Sequence, residues 1–123
     1  MFIKSLHLTK VLHYAKVVSM NWKTPKNEKL VESVLALRTP EEARRFLRDL
    51  MTESEISEFA NRLQAASMLS EKVSYSRIEK ETGLSATTIA RVSKWLQGKE
   101  GGYKLILNRT HHHATVSRER GLR

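Results

Sequence analysis

The sequence of 123 residues contains no cysteine, which excludes both a disulfide framework and a zinc site built on thiolates. It contains no apolar run that approaches the length of a membrane-spanning helix, so we expect no membrane partner. Neither a Walker loop nor a serine, histidine and aspartate set is present, and helix capping accounts for the acidic residues. These absences argue against an enzyme.

Histidine does not replace the missing cysteine as a source of metal ligands. His111, His112 and His113 are adjacent in a stretch that we expect to be flexible, where neighbouring side chains do not converge on one ion. His7 and His13 have no recognisable partner in the sequence. We therefore expect no specific metal site and no cofactor.

Positive charge is what the sequence has in excess, with a net charge of +9 at pH 7 and an isoelectric point near 10.1. The excess is unevenly distributed. Residues 1–29 carry +5, and residues 74–99 and 100–123 carry +3 each, whereas residues 30–73 carry −2. A basic surface attached to a nearly neutral scaffold suits a polyanionic partner.

Residues 74–97, SYSRIEKETGLSATTIARVSKWLQ, are the most informative stretch of the chain. Ser74 and Ser85 each precede a helical pattern, and a serine hydroxyl can cap the free amide groups there. Gly83 permits the positive φ of a tight turn between the two helices. This layout is typical of a helix-turn-helix, whose second helix enters the DNA major groove. A plain helical hairpin is the simpler alternative, but the composition of the exposed face favours DNA binding.

The motif predicts its own contact residues. Base edges in the groove suit the small and hydroxyl side chains that open the second helix, namely Ser85, Ala86, Thr87 and Thr88. Phosphate or guanine suits the basic residues one turn apart on that helix, Arg91 and Lys94. Backbone phosphates suit the polar residues of the first helix, Tyr75, Ser76, Arg77 and Lys80. Each of these first-helix residues fits an ordinary solvated surface equally well, and the spacing of Trp95 is more typical of a core residue.

Further helices are predicted before the motif. A short one begins near Leu30, and capping signals at Thr39 and Thr52, each followed three residues later by a glutamate, start two more. The helix after Thr52 is the longest, with an apolar stripe made of Ile56, Phe59, Ala60, Leu63, Ala66 and Leu69. With the helical pattern in residues 1–19, four short one-sided helices precede the motif. They are hard to bury in a monomer of this size, which favours packing against a second chain.

Both ends of the chain are expected to lie outside this domain. Residues 1–29 are interpreted as a basic extension and a linker, and residues 108–123 as a disordered basic tail. Residues 1–19 suit a basic amphipathic helix that touches nucleic acid or a membrane surface, although we favour a start at Met20. A secretory signal is not expected, because lysines and histidines interrupt the apolar region.

The blocks LRTPEEARRFLRDLMTESEI, NRLQAASML, YSRIEKETGLSATTIARV and GGY, which lie within residues 30–107, together resemble the tryptophan repressor superfamily, in particular its bacterial YerC/YecD branch. This resemblance implies an all-helical, intertwined homodimer with two helix-turn-helix units. Such a dimer would bind a palindromic operator with half-sites roughly 34–36 Å apart, or a multiple of that distance.

The resemblance does not extend to tryptophan binding. In the repressor a threonine and two arginines line the corepressor pocket, and Thr52, Arg62 and Arg91 match them. The glycine and serine that leave room for the amino acid align with Val92 and Trp95, whose large side chains would fill the space. The segment between Arg62 and Gly83 is also one residue shorter than the matching segment of the repressor. We expect no tryptophan response, a structural role for Arg62 and a phosphate contact for Arg91.

The sequence therefore predicts an all-α helical bundle over residues 30–107, with a helix-turn-helix at residues 74–97. It predicts a homodimeric transcriptional regulator that binds double-stranded DNA in the cytoplasm, associated with the nucleoid. The alternative is an architectural or protein-interaction module that binds nucleic acid without sequence preference. The dependence of binding on salt and on DNA sequence separates the two classes.

Overall fold

The protein is described from a computed structural model that covers residues 20–121, with residues 112–120 described by their backbone alone. Within this range the chain forms helices and connecting turns, with no strand. The six helices in chain order are α1 (Pro25–Leu35), α2 (Pro40–Leu50), α3 (Glu53–Ser70), α4 (Tyr75–Thr82), α5 (Ala86–Gln97) and α6 (Gly102–Gly121). The all-α prediction is confirmed. The alternatives for residues 1–19 lie outside the described residues.

The first helix begins five residues before the predicted start at Leu30. The Thr24 hydroxyl accepts a hydrogen bond from the Asn27 amide at 3.3 Å, and Pro25 occupies the first helical turn. Proline is favoured there because the missing amide hydrogen would have no helical partner anyway. The prediction of a linker over residues 21–29 was therefore wrong from Pro25 onwards.

Capping fixes the starts of α2 and α3 as the sequence predicted. The Thr39 hydroxyl accepts from the Glu42 amide at 3.2 Å, while the Glu42 carboxylate accepts from the Arg38 amide at 2.8 Å. At α3 the exchange is fully reciprocal: the Thr52 hydroxyl accepts from the Glu55 amide at 3.2 Å, and the Glu55 carboxylate accepts from the Thr52 amide at 2.9 Å. Caps of this kind contribute about 1 kcal/mol each.

The chain divides into two compact units, Met1–Phe46 and Leu47–Arg123. In the described part of the first unit, α1 buries none of its side chains and leaves Leu35 78% exposed. Its other large apolar residues, Leu30, Val31 and Val34, are also exposed.

The second unit has its own core, to which α3, α4 and α5 contribute. The buried residues are Ala65, Ala66, Met68, Ile78, Ile89 and Val92, and Tyr103 and Leu107 of α6 pack against them. Ile78 and Ile89 are the largest fully buried side chains. Burial of each contributes roughly 1.5–3 kcal/mol.

The inward face of α3 differs from the predicted stripe. Ala65, Ala66 and Met68 form the buried face, whereas Phe59 is 44% exposed and Leu63 is 43% exposed. Alanine lets neighbouring helices approach α3 closely. Two residues of the predicted stripe, Ala66 and Leu69, do contribute to the core, whereas Phe59 and Leu63 lie on another side of the helix. The helix therefore has two apolar faces, and the described residues cover only one of them.

A left-handed residue ends α3. The Val73 amide donates to the Met68 carbonyl at 3.0 Å and the Lys72 amide donates to the Leu69 carbonyl at 3.1 Å, which together form a Schellman motif. Lys72 has φ 64°, a conformation that usually belongs to glycine. Val73 then packs against the core, which directs the chain into the helix-turn-helix.

The C-terminal segment is helical where disorder was expected. Gly101, with φ 67°, precedes α6, and the helix then continues to Gly121. This settles the choice between helix and strand for residues 103–107 and corrects the expectation of disorder over residues 108–121. No glycine or proline interrupts residues 103–120, so each added residue can extend the hydrogen-bond ladder. No helix in residues 20–121 is long and apolar enough to cross a membrane.

Candidate nucleic-acid interface

Local hydrogen bonds build the helix-turn-helix. The Ser74 hydroxyl accepts from the Arg77 amide at 3.4 Å, and the Ser85 hydroxyl accepts from the Thr88 amide at 3.2 Å. Gly83 stands between the two helices with φ 71°, which confirms the left-handed turn that the sequence predicted. Each helix of the motif therefore begins at a serine cap and the first ends at a glycine.

Thr82 holds this turn from the inside. Its side chain is buried, its hydroxyl donates to the Ile78 carbonyl at 2.7 Å, and the same oxygen accepts from the Leu84 amide at 3.2 Å. A buried amide without a partner would cost about 1–3 kcal/mol, so this hydroxyl stabilises the angle between the helices. The two hydrogen bonds of Thr82 have no signal in the sequence pattern.

The outer face of α5 has the exposure that a DNA-reading surface requires. The inward side chains are Ile89, Val92 and Leu96, which are buried. The predicted contact residues Ser85, Ala86, Thr87, Arg91 and Lys94 are exposed, and Thr88 is half-buried. The hydroxyls of Ser85 and Thr88 lie 3.0 Å apart, so the two share a hydrogen bond at the start of the helix. The contacts of these residues with DNA stay a prediction.

The predicted phosphate contacts on α4, Tyr75, Ser76, Arg77 and Lys80, are also exposed. One of them is already engaged within the chain. The Arg77 Nε donates to the Glu81 Oε1 at 3.0 Å, four residues further along the same helix. Among the side chains that the structure describes, Lys80, Arg91 and Lys94 form no ion pair. The i, i+4 spacing of Arg77 and Glu81 is the sequence signal for this pair, which the prediction of phosphate contacts left out.

The two α3 residues that match the corepressor pocket of the repressor make contacts within their own helix. The Thr52 hydroxyl takes part in the capping box and also donates to the Glu55 carboxylate at 3.1 Å. The Arg62 Nη2 donates to the Glu58 carboxylate at 2.7 Å, and its guanidinium lies 5.4 Å from the centre of the Phe59 ring. The Arg62 Nε is buried without a hydrogen-bond partner among the described residues.

Trp95 is placed differently from what its spacing suggested. Val92 is buried, but Trp95 is 46% exposed, so the interpretation of Trp95 as a core residue was wrong for the single chain. The reason is geometric. Trp95 follows Arg91 by one helical turn and lies on the flank of α5, outside the stripe that faces the core.

No group of three or more metal-ligating side chains occurs in the part of the chain that the structure describes.

The arrangement of α3 to α6 around this motif defines an all-helical protein of the helix-turn-helix class. More particularly, the chain belongs to the Trp repressor family, because the family model of the Trp repressor protein matches residues 26–111. The chain is 41% identical over 90 residues to the uncharacterized protein YerC of Bacillus subtilis, an alignment that covers 73% of this chain and 86% of YerC. The resemblance to the YerC-like branch is thereby confirmed.

Solved structures support the same family. A TrpR-like protein from Eubacterium eligens is 35% identical, with a TM-score of 0.68 and coverage of 73% of this chain and 93% of that protein. A putative Trp repressor from Staphylococcus aureus is also 35% identical, with a TM-score of 0.69 and coverage of 76% and 96%. Membership of this family suggests a DNA-binding regulator.

Proposed function

We propose that this protein is a sequence-specific transcriptional regulator that binds operator DNA as a homodimer, in the cytoplasm and associated with the nucleoid. The observation that carries the proposal is the exposed polar and basic face of α5, which begins at a capped helix end within a Trp repressor family chain. The helix-turn-helix geometry requires the second helix to present such a face to the major groove.

Sequence is read by the first turn of α5. The Ala86 methyl and the Thr87 methyl suit the methyl group of thymine, while the hydroxyls of Ser85, Thr87 and Thr88 suit phosphates or base edges. The Ser85–Thr88 hydrogen bond holds two of these hydroxyls in a defined orientation before DNA arrives. Arg91 reaches a phosphate or a guanine from the next turn.

The helix α4 anchors the motif on the DNA backbone. Tyr75, Ser76 and Lys80 are exposed on this helix, and the exposed Arg77 beside them is paired with Glu81. Contacts of this type position the reading helix without selecting a sequence. Together with Lys94 they provide the salt-dependent part of the affinity.

The homodimer follows from the apolar surface that one chain leaves uncovered. Phe59 and Leu63 on the outer face of α3 are both more than two-fifths exposed, and Leu47 and Leu50 of α2 are exposed as well. Exposed large apolar side chains in this number are typical of an interaction site. A second copy is the occupant that the family match supports, and it brings two reading helices onto one operator.

Tryptophan is not proposed as an effector. The polar groups of Thr52 and Arg62 make hydrogen bonds within α3, and neither the isopropyl group of Val92 nor the indole of Trp95 leaves the space that a glycine and a serine would. The protein is therefore expected to bind its operator equally well with and without added tryptophan.

The test is selection of bound sequences from a random pool of DNA duplexes, with purified protein at physiological salt. Enrichment of a palindrome, with half-sites about one helical turn apart, supports both the regulator and the dimer. Binding at low salt with no enriched sequence would instead identify an architectural protein, whose affinity for every duplex falls together as salt rises.

A further inference from the structure

One predicted phosphate contact is neutralised before DNA arrives. The Arg77 guanidinium donates from Nε to the Glu81 carboxylate at 3.0 Å, and both side chains are substantially exposed. At distances larger than the separation of its two charges such a pair has no net charge, so it adds little to the long-range attraction for a polyanion. Arg77 therefore contributes less to DNA binding than its exposure suggests.

The pair is built to exchange partners. An arginine placed before a glutamate at i, i+4 has the weaker of the two possible orientations on a helix. Glu81 also lies in the last turn of α4, where the helix dipole disfavours a carboxylate. A DNA phosphate can accept two parallel hydrogen bonds from a guanidinium, and the single Glu81 contact occupies the Nε that the side-on form of this pair uses. The two acceptors compete for one guanidinium.

We propose that Glu81 acts as an internal phosphate mimic, an inference that rests on the proposed function. In the free protein Glu81 occupies Arg77 and so lowers the affinity of the protein for DNA of any sequence. Before Arg77 can turn to a phosphate, its hydrogen bond with Glu81 must break, and this requirement lowers the affinity. Glu81 thus weakens binding to unrelated DNA, where the contacts are mainly with phosphate.

The test compares four proteins on a DNA duplex of unrelated sequence over a range of salt concentrations: wild type, Glu81→Gln, Arg77→Gln and the double variant. Glu81→Gln is expected to bind about five-fold more tightly at physiological salt and to steepen the salt dependence by about one counterion. In the Arg77→Gln background the Glu81→Gln substitution should have little effect on DNA binding, because Glu81 then has no arginine to occupy.

Glu79→Gln is the matched control, because it removes one carboxylate from the same helix. Glu79 forms no ion pair among the side chains that the structure describes. If Glu79→Gln tightens binding as much as Glu81→Gln, or if the Glu81 effect persists without Arg77, the bulk charge is responsible and the proposal is overturned. Weaker binding by Glu81→Gln would overturn it too, because Glu81 would then position Arg77 for the phosphate.

Failure of this inference can be told from failure of the proposed function. A wild-type protein that binds no duplex even at low salt would overturn both, whereas wild-type binding with an inert Glu81→Gln overturns only the role of Glu81. Thermal melting of each variant establishes that it is folded. Glu81→Ala, which shortens the side chain and favours the helix, should reproduce the tighter binding if Glu81→Gln melts early.

Discussion

Helices α1 and α5 are nearly equal in length, with 11 and 12 residues, and both carry apolar side chains at helical spacing. Helix α5 buries Ile89, Val92 and Leu96, whereas α1 buries nothing and leaves Val34 and Leu35 exposed. Local sequence therefore does not explain the difference. A helical face becomes buried when neighbouring helices fit it. The described residues supply no such neighbours for α1, so its apolar face is suited to a partner.

The strongest test of this contrast is a matched pair of truncations. Ile89→Ala should lower the free energy of unfolding by about 2–5 kcal/mol, because it leaves a cavity in a closed core. Val34→Ala on α1 should change it by no more than about 0.5 kcal/mol in dilute protein. Urea unfolding at two protein concentrations measures both. If the loss of stability caused by Val34→Ala grows with protein concentration, a second copy of the chain covers α1.

The outer face of α3 should respond to charge only if a second chain covers it. Leu63→Glu is expected to weaken the dimer by at least about 2 kcal/mol, because it places a carboxylate in an apolar interface. Gln64→Glu adds the same charge at the next position, where the side chain is exposed, and serves as the control. Sedimentation equilibrium measures the association. A monomeric wild-type protein would contradict the dimer. A Leu63→Glu variant that associates normally would show that the outer face of α3 is not the interface.

The exposed side of α5, which we propose faces DNA, can be compared with α1 by removal of one positive charge from each. Arg91→Ala should weaken operator binding by about 1–3 kcal/mol and leave oligomeric state and melting temperature unchanged. Lys26→Ala removes an exposed charge from α1 and should have a much smaller effect. Fluorescence anisotropy with labelled operator DNA gives both affinities. Equal losses would remove the assignment of α5 as the recognition helix.

The smallest expected effects concern the two left-handed residues at the ends of α3 and α4. Lys72→Gly should stabilise the protein by about 0.5–1 kcal/mol, because glycine adopts positive φ without a steric cost. Gly83→Ala should destabilise it by a similar amount, although no atom lies within 4 Å of the added methyl group. Thermal unfolding of each variant checks the pair. A gain of stability for Lys72→Gly together with a loss for Gly83→Ala would show that backbone conformation decides both effects.

Short-range signals predicted much of the fold and of the candidate site. The caps at Thr52, Ser74 and Ser85 and the turn at Gly83 need only partners within three or four residues, so sequence reasoning located them correctly. The pairing of Arg77 with Glu81 is just as local, and closer attention to i, i+4 charges would have found it. The α1 start was missed because a proline-containing polar stretch was interpreted as a linker.

The sequence by itself determined where the helices α2 to α5 begin and how the helix-turn-helix turns, because a side chain a few positions away satisfies each free backbone group. Only the tertiary structure decided which apolar face of α3 lies inside. The periodicity of α3 placed Phe59, Leu63 and Ala66 in one stripe, but the close approach of neighbouring helices buried Ala66 with the adjacent Ala65 and left the larger two exposed. The same packing left Trp95 exposed, because the inward stripe of α5 was already complete.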